Sequence, residues 1–498
     1  MTSSRDLAAS SRHFRTLLVV QMVILCSMIS GGIVYSSLLD LDNAIYLASL
    51  MVAFVAAWSF CSWHLLGREL FSPYGLFLLS ASMFNGGQAI LEILGLNVKG
   101  ILGNQFRPEL TVKALYAVAL GLASFHLGAL LAVPRARPVI PTGIGPSESA
   151  REKATRTVGW FCLAISAIPS MMVIRDMIAI VGSQGYIGLY GRPISELLPS
   201  SVVILAGALV PGVMFVAGGS GKHRISLALV AGIVVLDAGL LMLAGLRHAG
   251  APFLISFAWL YHVRIRRFSR AALLSAGVGL LALFAVVASL RDNPGALLGS
   301  IATGDAAGNG IENPIVAAVR EMGMTLGTVA YTVDLVPANR PYDYGVGYAY
   351  ALFRVVPNVG WSVHPAAAHG AYSEWLTNTV APATSARGGG LGYSFIAEPF
   401  ANFGWYGVPA LLAMTGFLLV RLSDRVLLAN DPAKYAAVAS FLIPLLFFPR
   451  DESLVLFRPL LYYSLLPYAA VAILSRRSQV RRRVSSKESK TIYATPGR

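Results

Sequence analysis

Charge is what this sequence has least of: 13% of its 498 residues are Asp, Glu, Lys or Arg, while 56% are hydrophobic. Water-facing domains carry about a quarter charged residues, so this much apolar surface must face something else. Cysteine is nearly absent as well. Cys26, Cys61 and Cys162 all fall inside apolar runs, which argues against a disulfide framework and for thiols packing as small buried hydrophobes. No phosphate-binding loop of the GxxxxGK[ST] kind occurs, which argues against ATP-driven transport by this chain. HExxH and clustered Cys/His spacings are missing, and His364 and His369 are too isolated to hold an ion. The chemistry expected is therefore free of metal and cofactor.

Apolar runs fill the chain instead. Twelve stretches approach the length needed to cross a bilayer core of about 30 Å: 17–39, 44–66, 71–96, 112–133, 157–182, 197–217, 225–246, 248–263, 271–290, 395–420, 433–448 and 454–474. The expected fold is an all-α polytopic membrane protein. The first run follows Arg5, Arg12 and Arg15, but it is too long for a signal sequence and no cleavage site follows it.

The net charge of +15 does not point to nucleic acid. With both termini cytoplasmic, most Lys and Arg fall on one side: the N-terminal tail, loops 67–70, 134–156, 218–224, 264–270 and 421–434, and the tail after Ser475. That is the positive-inside pattern, and orientation plus contact with anionic lipid headgroups explains it. The chain is expected to divide into a membrane domain of nine spans (1–290), an external loop (291–394), three further spans (395–475) and a basic cytoplasmic tail (476–498).

The long loop carries Arg291, Arg320, Arg340, Arg354 and Arg387 but not one lysine. Arginine grips phosphate or carboxylate with a planar fork, so these are anion-binding candidates, beside a general bias of this chain toward arginine. A loop this long needs its own structure. Asn313-Pro314 is a helix start, and Ile315, Ala318, Val319, Met322 and Leu326 repeat at helical spacing. Tyr344 and Tyr348 lie among four tyrosines in 340–354, with Trp361 and Trp375 beyond. Such rings fit an interfacial belt, and they fit sugar stacking equally well.

Ionisable groups inside spans are costly and are functional candidates by default. Asp237, the adjacent Arg175 and Asp176, Glu398, Arg458 and the run Arg450-Asp451-Glu452 qualify. Most lie near the external face. Arginines and acids crowded there suggest a site for a lipid-linked diphosphate, with acids such as Asp451 for proton transfer.

The stretch SARGGGLGYSFIAEPFANFGWYG (385–407) resembles a block of the Wzy-type polymerases of O-antigen and related oligosaccharide repeat units. FPRDESLVLFRPLL (448–461) is similar to their arginine-bearing segment between the final spans. The layout of spans with one large loop resembles theirs too. The resemblance implies a GT-C-like glycosyltransferase of the inner membrane. It would polymerise undecaprenyl-diphosphate-linked repeat units on the periplasmic side. It also implies Glu398 as base or structural partner, Arg387, Arg450 and Arg458 as diphosphate ligands, Asn402 as a substrate contact, and close backbone approach to the substrate at Gly388–Gly390. Lipid-linked oligosaccharide and membrane lipids are the expected partners, and a chain-length regulator is a candidate one. Two other readings stay open: an O-antigen ligase and a lipid-linked oligosaccharide flippase or transporter.

Overall fold

A computed structural model of the chain describes residues 4–34, 41–97, 100–102, 105–133, 146–185, 188–191, 197–221, 223–292, 313–358 and 360–477. Parts of the basic segments named above, 134–145 and 478–498, lie outside the described residues, as do 293–312 of the long loop. Among the described residues every regular element is a helix, and ten helices are long and apolar enough to cross a membrane. They coincide with ten of the twelve apolar runs. The remaining two runs are also helical, Arg247–Arg264 and Arg270–Asp292. The first carries charged ends and an internal Pro252, and the second has a short apolar stretch, Arg270–Phe284.

Helix starts follow simple chemistry. Proline opens the helices at Pro73, Pro314 and Pro432, where its missing N–H costs nothing. Ser72, Asn313 and Asp431 precede them and accept from the free amides of Gly75 (3.3 Å), Ile315 (3.0 Å) and Ala433 (3.0 Å).

The centre of the bundle is the helix Pro108–Ala132, buried along nearly all of its length. It packs most closely on the helix Ala397–Ala429. Helices in lipid gain little from hydrophobicity between them and associate through close backbone approach at small residues. Here the fit is reciprocal. A Cβ added at Gly128 would lie 1.7 Å from the Ala413 carbonyl oxygen, and one at Gly416 would lie 1.9 Å from that of Phe125. Gly416→Leu is expected to prise the two helices apart and abolish accumulation in membranes. Immunoblotting of membrane fractions checks this, and a wild-type level would refute it.

Many polar groups inside the bundle are paired, as a medium without water favours, although Ser49, Ser82, Ser256 and the Trp259 indole are buried without a hydrogen-bond partner among the described residues. His126 sits between the Ser62 hydroxyl (2.7 Å) and the Tyr74 hydroxyl (2.6 Å). Of the three thiols expected to be buried, Cys162 alone is; Cys26 and Cys61 face out of the bundle, where lipid surrounds a spanning helix.

Ion pairs sort the loops onto two faces. On one, Arg68 grips Asp424 (2.8 and 3.0 Å), Arg151 grips Asp431 (2.8 and 2.5 Å), Arg264 pairs with Glu152, and Arg267 reaches Glu69 (3.3 Å). The basic loops 67–70, 134–156, 264–270 and 421–434 therefore meet each other. On the opposite face Arg107 reaches Asp334 (3.2 Å), Arg247 pairs with Glu321, and Gln88 donates to the Arg320 carbonyl (2.9 Å). That face carries the long loop, folded into the helices Pro314–Met322, Thr325–Leu335, Val346–Phe353 and Tyr372–Val380.

Candidate functional site

The helix Pro432–Phe447 ends on the loop face in two tight turns, Phe448–Arg450 and Ser453–Val455, before the last span continues to Arg477. Pro449 breaks the helix, and its carbonyl accepts from the buried Asn85 amide (3.1 Å). The six-residue stretch Arg450–Val455 contains an arginine and two acids, and three neighbouring elements hold it in place.

Two carboxylates do most of the holding, because short helices leave unsatisfied N–H groups at their starts. Glu398 is 2% exposed. One of its oxygens accepts from the Ser453 N–H (2.8 Å) and the other from the Ser453 hydroxyl (2.6 Å). Glu452 is 3% exposed. One oxygen accepts from Tyr372 N–H and the other from Ser373 N–H and its hydroxyl, all at 3.0 Å. So Glu398 ties the helix Ala397–Ala429 to the turn, and Glu452 ties the turn to the loop helix Tyr372–Val380.

The third tie is backbone. Tyr393 N–H donates to the Arg450 carbonyl (3.1 Å). Gly392, with φ +72°, approaches so closely that a Cβ would lie 3.1 Å from that oxygen. In the glycine run Gly392 thus approaches Arg450 closely, and Gly389 approaches Thr384, where a Cβ would lie 2.8 Å from its methyl group.

The Asn-Phe-Gly of the 385–407 stretch is tied into the same scaffold. Asn402 is fully buried; its oxygen accepts from Gly345 N–H (2.9 Å), and its amide donates to the Tyr372 hydroxyl (3.1 Å) and the Glu398 carbonyl (2.9 Å). Gly404 kinks the helix at φ +61°, ψ −148°, where the Tyr342 hydroxyl packs.

Around this scaffold three arginines converge. Burial and the like charge of Arg458 lower the pKa of Arg354, with Glu452 and Asp451 opposing. Arg450 adjoins Asp451, and His248, whose ring is tilted against Phe447 at 5.3 Å, lies beside Arg450 and Arg247. The Arg458 Nε is buried without a hydrogen-bond partner. Among the described residues none of Arg354, Arg450 and Arg458 has a carboxylate within 4.0 Å. On the basic face, by contrast, Arg68, Arg151 and Arg264 are paired.

Asp451 is the acid with spare capacity. One oxygen accepts from Glu452 N–H (2.9 Å). Burial pushes its carboxyl up to about 7, with the Glu452 charge adding and the Glu452 N–H, Arg450 and Arg354 opposing. Tyr348 is enclosed beside Glu398, Tyr372 and Tyr393, and burial raises its hydroxyl well above the ordinary range.

The structure therefore gathers Arg354, Arg450, Arg458, Asp451, Glu398 and Tyr348. It leaves three expected residues elsewhere. Arg387 is exposed and folds back onto the Ala383 carbonyl (3.1 Å). Arg320 lies on the helix Pro314–Met322 against Gln88. Tyr344 is 73% exposed. Sequence reasoning missed Tyr393 and Ser453, which lie inside the two blocks quoted above without standing out there, and Tyr372 and His248, which lie outside them; their roles arise from long-range folding. It also passed over Asp40-Leu41-Asp42, paired carboxylates at a spacing that a divalent ion can use; residue 40 lies outside the described residues.

A family model for the O-antigen polysaccharide polymerase Wzy matches residues 16–480, nearly the whole chain. The chain belongs to the Wzy family. Its class of activity is therefore polymerisation of O-antigen repeat units by a glycosyltransferase-type reaction in a membrane. No curated protein and no solved structure matches the chain significantly.

Proposed function

We propose that this Wzy chain joins undecaprenyl-diphosphate-linked repeat units at the periplasmic face of the inner membrane, with the Arg450–Val455 turn at its centre. The observation that carries this is the convergence of Arg354, Arg450 and Arg458 without partner carboxylates around one available acid. Guanidinium groups left uncompensated suit a diphosphate. The gathering of basic loops on the opposite face supports placing this site outside.

In this reading the acceptor sugar hydroxyl gives its proton to Asp451. Its oxygen attacks the anomeric carbon of the donor glycan, and the bond to the lipid diphosphate breaks. The three arginines hold the departing diphosphate, stabilising charge as it develops. Glu398, Glu452 and Asn402 hold the turn and do not touch substrate. The charge comes from guanidinium groups and not from a divalent cation, so polymerisation should persist in chelator. Loss of activity there would point instead to Asp40 and Asp42.

Arg450→Lys keeps the charge and loses the fork. It is expected to shorten surface polymer nearly as much as Arg450→Ala, scored by polysaccharide gels at matched abundance. Full-length polymer from the lysine variant would reduce Arg450 to a charge anchor.

A further inference from the structure

Beyond the site, the long loop carries an apolar surface that its own packing does not use. Leu352, Val356, Trp361 and Val363 are 60, 38, 41 and 57% exposed. The stretch 355–363 has no charged residue. Single exposed apolar side chains are ordinary, but four in one small lobe of a water-facing loop are not.

The lobe is held open. Tyr462 Oη donates to the Val355 carbonyl (3.3 Å). His364 Nδ1 accepts from Ala366 N–H (3.1 Å), so its Nε2 carries the proton and donates to the Val356 carbonyl (3.0 Å). The rings of Phe353, Trp361 and His364 pack on each other at 5.6–5.8 Å. These ties hold the lobe's backbone and leave its apolar groups outside.

They also fix its position. Tyr462 belongs to the last span, and Leu466, one turn further along, is 48% exposed on the bundle surface. The patch thus continues the lipid-facing side of that span, with an indole where indoles favour the headgroup boundary. We infer that the lobe Leu352–His364 inserts its apolar side chains into the lipid leaflet on the loop face. It would anchor the loop and hold Arg354 at headgroup depth. Only the value of that depth to a lipid-borne diphosphate rests on the proposed function.

The test uses the full chain with Cys26, Cys61 and Cys162 replaced by serine and one cysteine at Val363. It carries the fluorophore NBD and is reconstituted in phosphatidylcholine–phosphatidylglycerol nanodiscs. A cysteine at the exposed Ala383 is the control. The Val363 label is expected to emit blue-shifted light, to lose most of it to doxyl-labelled lipid, and to resist iodide. The Ala383 label should do the opposite. Iodide quenching at Val363 equal to that at Ala383 would overturn the inference. So would resistance to both quenchers, since protein and not lipid would then cover the patch. Because the readout is spectroscopic, it stands even if Arg450 variants refute the catalytic reading.

Discussion

Asp451→Asn is expected to leave single repeat units on the cell surface while the protein stays at wild-type abundance. Asparagine can still accept from the Glu452 N–H, so the turn keeps its backbone hydrogen bond. What disappears is the proton acceptor, and losing a general base typically slows a reaction by about 10²–10⁴. The pH profile makes the test sharper. Burial raises the Asp451 carboxyl to about 7, so below neutrality it keeps its proton and cannot act as base. Polymerisation by purified protein should rise with pH through about 7 and then level off. Stability moves the other way. A carboxyl whose folded pKa is raised stabilises the folded state in acid, and that contribution is lost as pH rises through the folded value. Asp451→Asn should flatten both curves across that window. Long polymer from this variant would eliminate Asp451 as base.

Much of the fold was legible because a bilayer forces it. Runs such as 112–133 must be helical, and the basic loops announce a shared face. The site was legible only in part. Arg450, Arg458 and Asp451 stand out as charges beside apolar runs, and Arg354 as one of five loop arginines. Glu398 was legible as base or structural partner, but its contact with Ser453 was not, because Ser453 lies 55 residues away and is an ordinary serine in sequence. Glu452 caps a helix 80 residues earlier in the chain. Long-range pairing of this kind leaves no periodicity to read. Arg387 shows the converse: it stands out beside the glycine run in sequence, while its side chain turns back on the neighbouring short helix Pro382–Ser385.

The two bracing carboxylates should respond oppositely to the same amide substitution. In Glu398→Gln the amide oxygen can accept from the Ser453 N–H, and the amide nitrogen can donate to the Ser453 hydroxyl, which accepts as readily as it donates. Both contacts survive, so abundance and polymer length should stay close to wild type. Glu398→Ala removes them and should lower both. Glu452→Gln has no such solution. Its two oxygens each accept from a backbone N–H, of Tyr372 and of Ser373, and an amide can satisfy one of these while facing the other with a second donor. A buried unsatisfied donor costs about 1–3 kcal/mol. The helix Tyr372–Val380 should loosen, taking the Tyr372 contact with Asn402 along with it, and abundance should fall together with polymer length. Membrane immunoblots and polysaccharide gels read both quantities from the same cells. Normal abundance of Glu398→Gln with only single repeat units would make Glu398 the base and return Asp451 to a supporting role. Normal behaviour of Glu452→Gln would show that the turn is held without its cap.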